Sequence, residues 1–138
     1  MTTQNTCNVK LTLVEENNNI CDAIGYAIRE QGYQINTAST AVEALEIIPD
    51  SNIVLVDLVL KDLDGLSLIE EIKARFSGKS VVAMLTRPES ASPLAEDSDT
   101  ASMAKDSGAD AIFIAPFNLG DLMTTIERLA ESLVTDPA

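Results

Sequence analysis

The sequence predicts a three-layer α/β/α sandwich: a doubly wound five-stranded parallel sheet in (βα)₅ order. Three observations predict it. Short apolar or alternating runs recur five times along the chain, at Val9–Val14, Tyr33–Ala38, Ile53–Val56, Ser80–Leu85 and Ala111–Ile114. Each is followed by a stretch with apolar residues at helical spacing. Two of the runs, Ile53-Val54-Leu55-Val56 and Val81 to Leu85, are apolar at every position, as a strand covered on both faces by helices must be.

Ile20, Ala23, Ile24, Ala27 and Ile28 mark the first helix, and Gly32 stands where a left-handed C-terminal cap is needed. Thr40 with Glu43 three residues on is a capping-box signal for a second, short helix over Val42, Leu45 and Ile48, stopping at Pro49. Leu66, Ile69, Ile72 and Phe76 mark the third helix. A polar stretch from Arg87 to Thr100 precedes a weaker fourth helix that ends at Gly108. Leu119, Leu122, Met123, Ile126, Leu129 and Leu133 form the stripe of a strongly amphipathic last helix. We expect one domain over residues 8–133 with flexible termini at 1–7 and 134–138, and no linker or second domain.

Composition excludes several functions. The chain has 138 residues, with 9 Lys and Arg against 22 Asp and Glu, a formal net charge of −13. Such a surface repels phosphate backbones, so nucleic acid is not an expected partner. There is no His, which removes a Ser-His-Asp triad, a His-ligated zinc and a phosphohistidine relay within the chain. Cys7 and Cys21 have neither redox nor zinc spacing and read as idle thiols. No apolar run approaches the length of a membrane span, and the polar start at Met1–Asn8 lacks the layout of a signal peptide, so a cytoplasmic protein away from membranes is expected.

In an open parallel sheet, ligands bind at the carboxyl ends of the strands. The polar residues that end the apolar runs fall at that edge: Glu15 and Glu16 after the first, Asp57 after the third, Thr86 after the fourth. Three carboxylates converging there need a proton or a cation, and Mg²⁺ suits oxygen donors. A carboxylate held against Mg²⁺ beside a hydroxyl is suited to accepting a phosphoryl group. The plainer alternative is that Glu15 and Glu16 only cap the next helix and that Thr86 only ends a strand.

These residues resemble the receiver domain of response regulators in two-component signalling, whose fold is flavodoxin-like. The acidic pair in Leu13-Val14-Glu15-Glu16-Asn17 is similar to the family's metal-binding acids. Asp57-Leu58-Val59-Leu60-Lys61-Asp62-Leu63-Asp64-Gly65 resembles the pattern D-x-x-[M/L]-P-x-[M/L]-D-G, and Ser107-Gly108-Ala109 followed by Ala115-Pro116-Phe117 resembles the A-G-A…K-P-F ending. The resemblance implies that Asp57 is the phosphoacceptor, served by a histidine kinase or phosphotransfer protein. It implies Mg²⁺ on Glu16, Asp57 and the Val59 backbone carbonyl, with Glu15 acting through water, and Thr86 as the switch hydroxyl. It also implies a downstream protein target, a phosphorelay role without enzymatic turnover, and a cis Ala115-Pro116 bond.

The departures are specific. The lysine expected before Pro116 is Ala115, and the aromatic expected in the last strand is Ile112, with Phe113 one position later on the opposite face. The second acid is Glu16 rather than Asp, an extra methylene that moves the oxygen by about 1.5 Å. The loop proline after Asp57 is Lys61. Losing the lysine removes a charge-assisted hydrogen bond worth about 1.5–3 kcal/mol. Arg87 or Lys61 are the candidates to replace it, and solvated surface cations are the plainer reading of both. Three functions follow: a phosphorylation-dependent receiver, a phosphorylation-independent pseudo-receiver that binds partners, or a Mg²⁺-aspartyl phosphatase using Asp62 or Asp64. The first is preferred. The apolar stripe of the last helix is read as core packing, with a homodimer as its other use.

Overall fold

The computed structural model describes residues 9–60, 64–76, 78–85, 97–115 and 117–134. Five strands alternate with five helices: β1 (Lys10–Val14), α1 (Asn18–Glu30), β2 (Gln34–Ala38), α2 (Ala41–Ile47), β3 (Ile53–Asp57), α3 (Gly65–Arg75), β4 (Ser80–Leu85), α4 (Asp97–Ser107), β5 (Ala111–Ile114) and α5 (Leu119–Val134). A 3₁₀ turn, Ile48–Asp50, continues α2 and contains Pro49. All strand pairs are parallel, in the order β2-β1-β3-β4-β5. The chain leaves β1 toward β2 and returns on the other side as β3, so the switch point of the topology lies between β1 and β3.

The sheet's period-two alternation sorts the core into two halves. Val14, Val54, Val56, Val81, Ala83 and Leu85 pack against Ala41 and Ala44 of α2, Leu68, Ile69 and Ile72 of α3, and Ala104 of α4. Leu11, Leu13, Ile53, Leu55, Val82 and Met84 pack against Ile24 and Ile28 of α1 and Leu122, Ile126 and Ala130 of α5. β3 is buried at all five positions, as expected of a central strand that is apolar throughout until Asp57.

Two helix faces differ from expectation. Val42 is 64% exposed, whereas Ala41, Ala44 and Ile48 are buried and Leu45 is only partly so. The small alanines let α2 sit close to the sheet, which turns its inner face by one residue. In α1, Ala23 is exposed and Gly25 is buried instead. The caps follow the sequence. Thr40 Oγ1 accepts from the Glu43 N–H at 3.1 Å and Glu43 Oε1 accepts from the Ser39 N–H at 2.8 Å. Gly32 ends α1 at φ +93°. No helix among the described residues is long and apolar enough to cross a membrane.

The opposite edge of the sheet is tied by a polar knot. Asp110 Oδ2 accepts from the Val81 N–H at 2.8 Å and from Lys73 Nζ at 2.9 Å, and Lys73 Nζ also donates to the Lys79 carbonyl at 3.0 Å. Gly108, at φ +120°, lets the chain turn from α4 into β5 over Lys73; a Cβ there would lie 2.7 Å from Lys73 Cγ.

Candidate functional site

β1 and β3 are neighbours in register, Val14 beside Val56, so the residues that follow them meet at the carboxyl edge. Glu15 continues from β1 and its N–H donates to the Ala38 carbonyl at 2.9 Å; Asp57 is the last residue of β3. Each is 2% exposed. The two carboxyls are close enough to share a hydrogen bond when one holds a proton. Burial, then this contact with Asp57 and its charge, push the Glu15 carboxyl up to about 9. The Asn17 N–H opposes the shift, donating to Glu15 Oε2 at 3.2 Å, and the charge of Glu16 adds a smaller push upward.

Sequence reasoning passed over Asn17, which takes the N-cap position of α1. Asn17 Oδ1 accepts from the Ile20 N–H at 3.1 Å and caps α1. The N-cap of α1 is therefore Asn17 rather than Glu15 or Glu16. The signal was present, since Asn before an apolar helical stripe is a strong N-cap residue. Glu16, one residue on, is half-buried at the rim. The structure thus brings together Glu15 and Asp57 as the buried pair, with Glu16 beside them. Among the described residues, no group of three Asp, Glu, Cys or His side chains stands as a ready ligand shell.

On the other side of Asp57, its Oδ1 accepts from the Val59 N–H at 2.9 Å, which bends the chain back over the sheet. The Leu58 N–H donates to the Met84 carbonyl at 2.7 Å, tying this turn to β4. Val59 itself is 55% exposed. Asp64 caps α3, its Oδ1 accepting from the Leu66 N–H at 3.0 Å. Gly65 packs directly on the turn: a Cβ there would lie 2.4 Å from Leu58 Cα and 2.8 Å from the Asp57 carbonyl oxygen.

Ala115 lies at the end of β5, half-buried, its N–H donating to the Leu85 carbonyl at 2.9 Å. Its methyl supplies no charge to the edge. Ile112 packs with the α2–α4 half of the core, whereas Phe113 packs with the α1–α5 half. Phe113 meets Phe117 with ring centroids 5.5 Å apart. Thr86, Lys61, Arg87, Asp62 and the Ala115-Pro116 bond, together with Cys7, lie outside the described residues. Cys21 is half-buried, and burial pushes its thiol up, which suits an idle thiol.

The donor set fits a hard cation. Oε1 of Glu15 is buried with no hydrogen-bond partner among the described residues, beside a second buried carboxyl. A divalent ion preferring oxygen ligands would satisfy it and relieve the repulsion.

Comparison with known proteins agrees with this architecture. The model of the response regulator receiver domain matches residues 11–127. The transcriptional regulatory protein KdpE of Staphylococcus aureus is 30% identical over 128 residues, covering 89% of this chain and 52% of that protein. The chain thus spans about half the length of that curated relative. Among solved structures, the receiver domain of the Francisella response regulator 1452 superposes with a TM-score of 0.79 at 20% identity, covering 91% of this chain and 99% of that one. A CheY-like receiver domain protein from Methanospirillum hungatei JF-1 gives a TM-score of 0.76 at 23% identity, covering 90% and 94%; both establish the fold. NtrX of Brucella abortus gives a TM-score of 0.77 at 27% identity, covering 91% of this chain and 27% of that one. The chain belongs to the response regulator receiver domain family.

Proposed function

We propose that this receiver accepts a phosphoryl group on Asp57 from the phosphohistidine of a histidine kinase or phosphotransfer protein. The observation that carries the reading is the buried Glu15–Asp57 pair with its orphaned oxygen, at the switch point of the sheet. A carboxylate oxygen of Asp57 attacks phosphorus, the P–N bond breaks with its electrons going to the imidazole, and an acyl phosphate forms. The Val59 N–H on Oδ1 holds the carboxylate in one orientation. Mg²⁺ on Glu15, Glu16, Asp57 and the Val59 carbonyl would neutralise charge on the transferring oxygens. Thr86, the first residue after β4, is the hydroxyl we assign to the modified aspartate. Transfer is stoichiometric, one group per chain, and the consequence passes to a downstream protein partner.

Intact mass after incubation with Mg²⁺ and a small-molecule phosphodonor tests this. One acid-labile adduct per chain, absent in Asp57→Asn, is the expected result. A chain that stays unmodified, or an adduct that persists in Asp57→Asn, overturns it. The second reading, a pseudo-receiver that binds its partner without phosphorylation, is favoured by Ala115, which stands where the resemblance expects a lysine. It predicts that a partner captured by the wild-type chain binds Asp57→Ala equally well.

A further inference from the structure

Val14 pairs with Val56 across β1 and β3, so Glu15 and Asp57 come next in the same ladder, on strands about 4.8 Å apart. The Glu15 N–H still bonds to the Ala38 carbonyl, which keeps this residue on the sheet's edge before the chain turns into α1. The two oxygens of Glu15 have different surroundings. Oε2 accepts from the Asn17 N–H at 3.2 Å. Oε1 is buried with no hydrogen-bond partner among the described residues. An oxygen taken out of water in this way is unfavourable unless a proton donor or a cation meets it.

Glu16 follows where the chain leaves the sheet and is half-buried at the rim. Among the described residues, no third acid joins Glu15 and Asp57 to hold one ion. The spacing of the buried pair suits a cation. The two carboxyls are close enough to share a hydrogen bond. Oxygens that share one stand about 2.5–3.0 Å apart. Adjacent ligands of an octahedral ion with bonds of about 2.0–2.1 Å stand about 2.9 Å apart, so one spacing serves a proton or Mg²⁺. The Val59 N–H on Asp57 Oδ1 and the Asn17 N–H on Glu15 Oε2 orient both carboxyls before any ion arrives.

We infer that Glu15, not Glu16, is the acid that binds a divalent cation directly together with Asp57, through Oε1, while Glu16 acts from the rim through water. This exchanges the roles that the receiver resemblance gives to the acidic pair. The inference rests on the proposed Mg²⁺ site beside Asp57 and changes which acid touches the ion. The cause lies in the turn after β1. Asn17 caps α1 through Oδ1 and holds Glu15 through its N–H, so Glu15 is fixed inward and Glu16 is left at the rim.

The probe is Mn²⁺, which shares the octahedral oxygen preference of Mg²⁺, bound to the full chain. Affinity alone does not separate the two roles, because an acid one water away from the ion also tightens binding. The number of waters on the ion does separate them. Electron paramagnetic resonance in water enriched in the magnetic isotope of oxygen counts those waters. Glu15→Met, similar in length but without a hard donor atom, should leave the bound ion with one more water than the wild-type chain. Glu16→Met should weaken binding by about tenfold and leave the count unchanged. An added water in Glu16→Met, or an unchanged count in Glu15→Met, overturns the assignment. So does Mn²⁺ that the wild-type chain holds no more tightly than Asp57→Asn does. If Glu15→Met does not fold or no longer holds the ion, Glu16→Met still decides, because water takes the place of any direct ligand that is removed. A parallel sample with phosphodonor and Mg²⁺ reads the adduct by mass: absence of adduct counts against Asp57 as phosphoacceptor, while the water count decides which acid touches the ion.

Discussion

Glu15 binds its proton far more tightly in the folded chain than in the unfolded one. Its carboxyl moves from an ordinary 4.5 to about 9, chiefly through burial and then through Asp57. A carboxyl raised on folding contributes stability that is complete below the unfolded value and is lost as pH rises toward the folded one. The urea midpoint of the wild-type chain should therefore fall as pH rises between about 5 and 9. Glu15→Gln removes the titrating group while keeping its shape. Its midpoint should be flatter over that range and higher at the alkaline end, read by circular dichroism. A divalent ion competes with the same proton, so Mg²⁺ should bind more tightly to the wild-type chain as pH rises. A wild-type midpoint with no more slope than the variant would remove the proton from Glu15.

At the scale of elements, the two ends of short helices decide how the site is held. Gly65 begins α3 where any side chain would meet Leu58 Cα and the Asp57 carbonyl. Gly65→Ala must push the turn after Asp57 off the sheet, so we expect a loss of about 1–3 kcal/mol in denaturant unfolding. Phosphoryl uptake should also slow, because the Val59 N–H no longer reaches Asp57 Oδ1. Thr40→Ala removes the cap of α2 and should cost about 1 kcal/mol, with no effect on Asp57 chemistry. The contrast between the two variants separates a turn that shapes the site from a cap that only stabilises the fold. Thr40 was legible in the sequence from its spacing to Glu43, whereas Gly65 stood there only as part of the stretch that begins at Asp57, and its close approach to the turn emerged with the fold. The inner face of α2 was not legible, because Val42 and Ala41 differ by one step around the helix and only contact with the sheet chooses between them.

Across the whole molecule, stability and charge pull against each other. The edge opposite the site is held by Asp110, which serves the Val81 N–H and Lys73 together. Asp110→Ala leaves a strand N–H without its acceptor, and we expect a cost of about 1–3 kcal/mol in urea unfolding. Phosphoryl uptake should persist, since this edge is remote from Asp57. The formal charge of −13 adds self-repulsion throughout. Thermal midpoints should therefore rise when salt is raised from about 0.01 M to 0.15 M, as screening shortens from about 30 Å to 8 Å. A midpoint unchanged by salt would show that this repulsion is already balanced locally.

The order of elements, the caps at Thr40 and Gly32, the fully covered central strand and the edge at which the acids lie could all be read from the residues alone. These are local properties: periodicity reports how many faces of an element are buried, and cap residues act within one turn. Which acid stands against Asp57 emerged with the packing of the folded chain. Glu15 and Glu16 are equivalent as text, but the parallel register of β1 and β3 and the cap taken by Asn17 bury Glu15 and leave Glu16 at the rim. That packing also decided that Asp57, Met84 and Phe113 form one row, because residues from three strands become neighbours only when the sheet's register is set.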